Sequence, residues 1–429
     1  MRKNEKTFKI YTLGCKVNQY DSRYLSELLT KQGFSRVGEN AELTIINTCS
    51  VTASAISKDK RMISKARKEN PKSKIIIMGC WPRAYRKEVD KAGADLVWGV
   101  GKLKDLVAYI HGLLGYKMKK INEPFDYIPQ ENRSRYFLKI QDGCEQYCSY
   151  CIIPHTRGNI KSRKEGEILK EAEGATQAGF KEIVLSGIHL GMYGKDTNTN
   201  IAELLKKMIN IPDLGRIRLS SIEINEVSDN LVALLKASPK ICDHLHIPLQ
   251  SGSDKILKLM KRPYTSQYFE KKINEIKKEL PNISVSTDVI AGFPGEGEKE
   301  FEETYNMVKR LKFSRLHVFP FSAHKKTSAY KLSGRVPGAD IKRRVAGLIE
   351  LGEKMEIEFM EKFKGRELDV LVENIEKGKM RGRSEYYFCF ELPLDRIIFC
   401  DQGEKIDDPS KMIGKIFKIK EKTGFNKEG

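Results

Sequence analysis

The stretch "DGCEQYCSYC", Asp142 to Cys151, places cysteines at 144, 148 and 151. The spacing is C-x3-C-x2-C. A structural tetrahedral metal site takes four ligands. Three closely spaced thiols leave one coordination position for something other than cysteine. The loop follows a strand-like run, "YFLKI" (Tyr136–Ile140), and that run opens a repeating pattern. Five further β-like runs follow: "EIVLS" (Glu182–Ser186), "RIRLS" (Arg216–Ser220), "HLHIPL" (His244–Leu249), "SVSTDVI" (Ser284–Ile290) and "RLHVF" (Arg315–Phe319). Helical stretches such as "KEGEILKEAEGATQAGF" separate most of them. Strand and helix in alternation predict a parallel sheet, and six repeats predict a partial (β/α)6 barrel with its site at the carboxyl ends of the strands. Glycine-rich and polar segments stand at those ends: "GIHLG", "SIE", "QSGSD" and "AGFPGE".

Moving toward the amino terminus, strand-like runs recur at Phe8–Thr12, Leu43–Asn47, Ile75–Met78 and Asp95–Trp98. The pattern "DSRYLSELLTKQGF" predicts a helix stopped at Gly33, and a second helix is expected to start with Ser54 as its cap and end near Pro71. This part reads as an open parallel α/β domain. Cys15, Cys49 and Cys80 each lie two or three residues past one of the first three strands. Ligands of open parallel sheets bind outside the carboxyl ends of the strands, so three residues far apart in sequence can converge there. Gly14 and Gly79 beside them would let backbone come close to a bulky group. Two readings stay open for the three cysteines: small buried hydrophobes, or ligands of an iron–sulfur cluster with one open iron.

The composition bounds the rest. Nine cysteines, an odd count, with no apolar export segment at the start, argue against a disulfide framework and point to the cytoplasm. No apolar run of about 18 residues suggests a membrane span. The net charge is +20, and residues 1–130 hold 25 Lys+Arg against 13 Asp+Glu. Such a surface suits a polyanion, and equally a merely basic soluble protein. The segment Ser57–Lys74 would give its helix a basic face that either grips phosphates or is simply solvated.

The wider string "YFLKIQDGCEQYCSYCIIPHTRG" resembles the methylthiotransferase branch of the radical S-adenosylmethionine enzymes. "TLGCKVNQYDS", "NTCSV", "MGCWP", "HLHIPLQSGSDKILKLMKRPYT" and "STDVIAGFPGEGEKEFEET" are similar to further characteristic segments of that family, so the likeness runs along nearly the whole chain. The lysine in "GCKVNQ" resembles the bacterial subgroup that acts on N6-threonylcarbamoyladenosine in the tRNA anticodon loop. The resemblance implies two [4Fe–4S] clusters, one held by Cys144, Cys148 and Cys151 and an auxiliary one held by Cys15, Cys49 and Cys80. It implies that S-adenosylmethionine occupies the open iron of the first and yields a 5′-deoxyadenosyl radical, and that methylated sulfur is delivered from the second to adenosine C2. Ser186 and Gly187 are then expected at the amino end of S-adenosylmethionine, Ser220 and Glu223 nearby, and Tyr150 and Gly292 facing the adenine. No residue stands out as an acid–base catalyst; His155 and His246 carry no assigned role. The implied partners are tRNA, a flavodoxin- or ferredoxin-like reductant and a sulfur source, with no membrane, and a monomer is expected. One departure is visible: "FPFSAHKKTSA" sets His324, Lys325 and Lys326 where relatives have an arginine and glycine context.

The last seventy residues change texture. "ELDVLVE", "YYFCFEL" and "GKIFKIKE" are short strands that fit a small antiparallel β-barrel and resemble the RNA-binding TRAM domain. "KGKMRGRSEYYF" sets Lys377, Lys379, Arg381 and Arg383 beside two tyrosines, a pairing suited to phosphate contact and base stacking. The expected domains are therefore 1–125, 130–360 and 361–429. Cys242, Cys389 and Cys400 read as ordinary core or near-core cysteines. Rival functions are a methylthiotransferase acting on isopentenyl-adenosine tRNA or on a ribosomal-protein aspartate, a non-catalytic iron–sulfur RNA-binding or sensing protein, and structural zinc at the cysteines.

Overall fold

The computed structural model describes residues 6–121, 127–129, 134–400 and 408–421. The domain edges expected at 125 and 130 lie outside them. The chain packs as two compact units that cut across its linear order. One holds the described residues of Met1–Gln130, Gln141–Lys161 and Ser322–Tyr330; the other holds those of Glu131–Ile140, Ser162–Phe321 and Lys331–Gly429. The cysteine loop and the segment with His324 thus group with the amino-terminal sheet. Among the described residues no helix is long and apolar enough to cross a membrane.

The first unit is built on five parallel strands: β1 (Thr7–Thr12), β2 (Ser35–Arg36), β3 (Leu43–Thr48), β4 (Lys74–Gly79) and β5 (Leu96–Val97), in the order β2-β1-β3-β4-β5. The central strand "LTIINT" is buried at every position, as expected for a parallel sheet covered on both faces. Helix α1 (Lys16–Lys31) starts earlier than the apolar pattern suggests, immediately after Cys15, and buries Val17, Leu25, Leu28 and Leu29. Helix α2 (Ala53–Glu69) is capped by Thr52, not Ser54: its hydroxyl accepts from Ala55 N at 3.1 Å. The threonine sits three residues before that N–H, and an N-cap oxygen reaches the N2 or N3 amide. Isoleucines 46, 63, 75 and 77 enclose Trp81 in the core between sheet and helix.

In the second unit six parallel strands follow chain order: β6 (Arg135–Lys139), then, after the short β7 (Gln141–Asp142) and β8 (Lys161–Ser162), β9 (Glu182–Ser186), β10 (Arg216–Leu219), β11 (His244–His246), β12 (Ser284–Ala291) and β13 (Arg315–Pro320). They form two three-stranded sheets, β10-β9-β6 and β11-β12-β13. Single bridges Ile217↔Ile241 and Ser221↔His246 join the halves. Strand β11 stops well short of Leu249, because Pro248 has no N–H for a ladder and Gln250 takes φ 65°.

The same unit carries an antiparallel sheet of β14 (Leu368–Glu376), β15 (Lys379–Ser384), β16 (Cys389–Pro393), β17 (Ile397–Phe399) and β18 (Ile416–Glu421), ordered β16-β15-β14-β18-β17. β15 is a strand that the charge of "KMRGRS" hides from a sequence reading. Its alternation is nonetheless there, with Met380 and Gly382 inside and Lys379 and Arg381 outside. The strand read from Tyr386 begins only at Cys389, since Tyr387 turns the chain at φ 74°. The sheet is no separate body. Glu182, fully buried, takes Arg216 Nε at 2.6 Å and Arg218 Nε at 2.9 Å. The other guanidinium nitrogens donate to the carbonyls of Asp369 (2.6 Å), Arg383 (2.9 Å), Ser384 (2.9 Å) and Glu385 (3.0 Å). Two barrel arginines thereby bind the backbone of the carboxy-terminal sheet.

Candidate cluster-binding and cofactor sites

At the carboxyl edge of the first sheet, Cys15 is the N-cap of α1, Cys49 follows β3, and Cys80 opens the short helix α3 (Cys80–Ala84) directly after β4. Cys49 and Cys80 are buried and Cys15 is exposed. Two glycines make the approach possible. A methyl on Gly14 (φ 97°) would lie 2.7 Å from Cys49 Cβ, and one on Gly79 (φ 99°) would lie 2.5 Å from Asn47 Oδ1 and 2.6 Å from Thr48 O. Asn18, fully buried, ties two strand ends together by donating to Leu13 O at 2.8 Å and Thr48 O at 2.9 Å. The Cys49 N–H donates to the Asp59 carboxylate at 3.2 Å.

Burial sets the behaviour of the two inner thiols. Burial pushes the Cys49 thiol up to about 12, and Cys80 and Cys15 push it the same way. Burial likewise raises Cys80, against the pull of the Arg157 charge, and Cys15 again adds to the rise. Burial lifts the Asp59 carboxyl to about 8, against the Cys49 N–H. Three thiols gathered at one sheet edge, with backbone and amide hydrogen bonds around them, form a soft all-sulfur donor set. That set fits an iron–sulfur cluster, whose positive iron would favour the thiolates that burial disfavours.

The second set of thiols sits in the loop after β7. Gly143 (φ 73°) could carry no side chain, since a methyl would meet Asn159 O at 1.8 Å. Cys144 N donates to Gly158 O and Cys151 N to Cys148 O, each at 3.0 Å. Gln141 Nε2 donates to the carbonyls of Asp142 (2.7 Å) and Gly143 (2.8 Å). All three thiols are half-buried, so the set offers the same soft donors with access for a small molecule, and it too fits a cluster. Tyr150 is half-buried beside Cys151, while His155 is exposed and packs edge-on to Tyr147.

The segment with the sequence departure folds onto this unit. His324 is buried, donates from Nε2 to Val51 O at 2.8 Å and leaves Nδ1 to accept from Tyr85 O–H at 3.2 Å. Ala329 N donates to Ser149 O at 2.7 Å. The departure thus braces the loops that follow Cys49 and Cys80, and also the loop between Cys148 and Cys151. Lys325 and Lys326 remain exposed.

In the second unit the expected cofactor residues lie at carboxyl ends of barrel strands. Ser186 is buried at the end of β9 and bonds Leu138 O at 3.2 Å, with Gly187 next in the chain. Ser220 follows β10, and its hydroxyl is buried with no hydrogen-bond partner among the described residues. Glu223 pairs with Arg262; burial raises its carboxyl although Arg262 and His189 pull it down. Gly292 (φ 79°) follows β12, its N–H donates to Glu296 Oε1 at 2.8 Å, and a methyl there would meet Ile341 Cγ1 at 2.4 Å. One constellation escaped the sequence reading. His246, Asp288 and His317 bring ligand atoms within 4.8 Å of one another, and Ser286 Oγ lies 2.9 Å from His246 Nδ1 and 3.0 Å from His244 Nε2. The period-2 spacing of His244/His246 and Ser286/Asp288 was the available signal.

The four basic residues of the carboxy-terminal sheet part company. Lys377 and Gly378 make the tight turn between β14 and β15, both at positive φ, and Lys377 is exposed. Lys379 is exposed and pairs with Glu391 at 3.2 Å, and Arg381 is exposed. Arg383 is buried and forked onto Glu373 at 2.9 and 3.2 Å, so it secures the sheet instead of facing solvent. The tyrosines are also engaged: Tyr386 packs on Phe363 at 4.2 Å, and Tyr387 stacks on His244 at 4.5 Å.

Comparison with known proteins agrees with this layout. The Radical SAM superfamily model matches residues 138–308, and the model described as uncharacterized protein family UPF0004 matches residues 7–99. A Thermotoga maritima protein named threonylcarbamoyladenosine tRNA methylthiotransferase MtaB is 38% identical over 402 residues, covering 91% of this chain and 92% of that one. A Natranaerobius thermophilus protein named tRNA-2-methylthio-N(6)-dimethylallyladenosine synthase is 33% identical, covering 94% of each. The structure of the radical S-adenosylmethionine methyltransferase TsrM from Kitasatospora setae shares the fold, with TM-score 0.59 at 13% identity, over 76% of this chain and 74% of that one. With such identity sustained along both relatives, the chain belongs to the radical S-adenosylmethionine tRNA methylthiotransferase family.

Proposed function

We propose that the protein converts N6-threonylcarbamoyladenosine in the tRNA anticodon loop to its 2-methylthio derivative, with two [4Fe–4S] clusters and S-adenosylmethionine. The observation that carries the reading is the pair of three-cysteine sets, each one thiol short of four and both within one compact unit. When bound, these groups supply the one-electron and sulfur-transfer chemistry that an unactivated carbon–hydrogen bond demands and no acid–base pair provides. The chain's own residues hold and orient. Cys144, Cys148 and Cys151 hold the cluster that S-adenosylmethionine meets, in a loop whose Gly143 admits no side chain. Cys15, Cys49 and Cys80 hold the auxiliary cluster at a sheet edge that Asn18 stitches shut. Ser186, Gly187, Ser220, Glu223 and Gly292 are the barrel residues we assign to S-adenosylmethionine, and the assignment extends to Tyr150 in the cysteine loop. The unpartnered Ser220 hydroxyl supports a ligand there.

For RNA we assign Lys377, Lys379 and Arg381, whose exposure suits phosphate contact. Lys58, Arg61 and Lys68 on α2 add a second basic surface. Four relatives named for threonylcarbamoyladenosine are 34–38% identical and four named for dimethylallyladenosine 31–36%, a lean toward the first substrate. A reductant and a sulfur source complete the reaction, in the cytoplasm and with the protein as a monomer.

Nucleoside mass spectrometry tests the proposal. Anaerobically reconstituted protein is incubated with S-adenosylmethionine, reductant, sulfide and tRNA carrying N6-threonylcarbamoyladenosine. A new 2-methylthio nucleoside supports reaction and substrate together. Its absence while 5′-deoxyadenosine still forms would redirect the assignment to isopentenyl-adenosine tRNA or a ribosomal-protein aspartate. Absence of both would leave an iron–sulfur RNA-binding protein without turnover.

A further inference from the structure

Arg157 lies six residues past Cys151, yet its side chain is fully buried. Its Nη1 donates to Asp142 Oδ2 and to Asp21 Oδ2, each at 2.9 Å, and its Nη2 donates to Asn18 Oδ1. Asp142 opens the three-cysteine loop. Asp21 and Asn18 lie on the first turns of α1, just after Cys15. Asn18 in turn donates its amide to the carbonyls of Leu13 and Thr48, one residue before Gly14 and Cys49 respectively. The helix that carries Arg157, Ile153–Arg157, packs on the helix that begins at Cys80. One guanidinium is therefore the common partner of both cysteine sets. Burial would lower its own pKa, but Asp21 and Asp142 outweigh that and hold it charged, with Cys80 and Cys15 also within its field.

We propose that Arg157 is a positioning residue for the transfer step: its fork fixes the Cys144–Cys151 loop against the Cys15/Cys49/Cys80 edge, and its charge tunes whatever those three thiols hold. The inference rests on the two-cluster reading above. Three acceptors on one planar group set a geometry that a point charge on a flexible stem does not reproduce. A fixed positive charge beside a cluster favours the reduced, more negative state.

The test is an EPR-monitored redox titration of the reconstituted full-length protein. A variant with Cys144, Cys148 and Cys151 all changed to alanine identifies the signal of the auxiliary cluster. Arg157→Gln shifts the auxiliary potential negative, with about a tenfold fall in the reduced-to-oxidised ratio at fixed solution potential, equivalent to about 59 mV for one electron. Arg157→Lys keeps the potential near wild type but raises 5′-deoxyadenosine formed per methylthio product several-fold, because the fork is lost while the charge stays. Asp21→Asn moves the potential the other way, to more positive values. A mere packing role predicts no such opposite signs. Wild-type potential and coupling in Arg157→Gln at full iron content overturns the proposal. If Arg157→Gln fails to hold its cluster, Asp21→Asn decides, and an unmoved or lowered potential there overturns it. Iron and sulfide for a single cluster in the wild type would instead bring down the reading of function, and the inference with it.

Discussion

Two buried arginine centres divide the work of this molecule. Around Arg157 the acceptors are two aspartates and an asparagine. Around Arg216 and Arg218 the acceptors are one glutamate and four main-chain carbonyls. At Arg216 and Arg218 the Nε and both Nη atoms find acceptors, whereas at Arg157 the two Nη atoms do and Nε has none among the described residues. The surroundings differ in kind. Main-chain carbonyls are there whatever the function, so Arg216 and Arg218 join one sheet to another. The side-chain acceptors of the first centre, Asp142 before the Cys144–Cys151 loop and Asp21 and Asn18 on the helix that follows Cys15, tie it to the two cysteine segments. A buried arginine network is thus informative about function only through what its partners are attached to.

Changes that strike one centre and spare the other sharpen this contrast. The largest effect is expected from alanine at Cys144, Cys148 or Cys151, which abolishes 5′-deoxyadenosine formation; a variant that still produced it at the wild-type rate would remove the first cluster assignment. Alanine at Cys15, Cys49 or Cys80 leaves some uncoupled 5′-deoxyadenosine formation but no methylthiolated nucleoside, and normal product from all three would sink the auxiliary assignment. Neither set is expected to alter the urea midpoint of the barrel unit.

Glu182→Ala is the reciprocal experiment. Removing the carboxylate that pairs with both buried guanidiniums costs about 3–5 kcal/mol, read as a lower urea midpoint, with cluster content retained in the protein that stays folded. The pH dependence follows. Burial raises the Glu182 carboxyl, but Arg218 and Arg216 win and hold it below the usual carboxylate range. Its contribution is complete above the unfolded value of about 4.3 and is lost as pH falls toward the folded one. Glu182→Gln should flatten that acid limb of the stability curve; an unchanged limb would deny the glutamate its charge-pairing role. The smallest expected effect belongs to the carboxy-terminal sheet. Arg381→Ala should lower the slope of log affinity for tRNA against log salt by about one, whereas Arg383→Ala, which leaves Glu373 ion-paired with Arg135 alone among the described residues, should lower stability instead. Equal losses of RNA affinity in the two, with no change in stability, would mean Arg383 is free to reach phosphate.

Much of this was legible in the residues. Both cysteine sets, the six parallel strands and the antiparallel end could be read because each rests on local information: spacing, period and turn residues. The cap at Thr52 was misread by two positions because several small hydroxyls compete there and only backbone geometry picks one. β15 is hard to read because glycine and three cations interrupt an otherwise alternating run.

The sequence by itself determined the two cysteine sets, their spacing and the order of the strands beside which they lie. Only the tertiary structure decided that residues 141–161 and 322–330 pack with the amino-terminal sheet, that His324 is a buried brace, that Arg383 is tied to Glu373 and that Arg157 serves both cysteine sets. The reason is physical. A cation looks the same in sequence whether it meets water or a buried carboxylate, and which it meets depends on carboxylates 10 (Glu373 for Arg383) to 136 (Asp21 for Arg157) residues away that only packing brings within 3 Å.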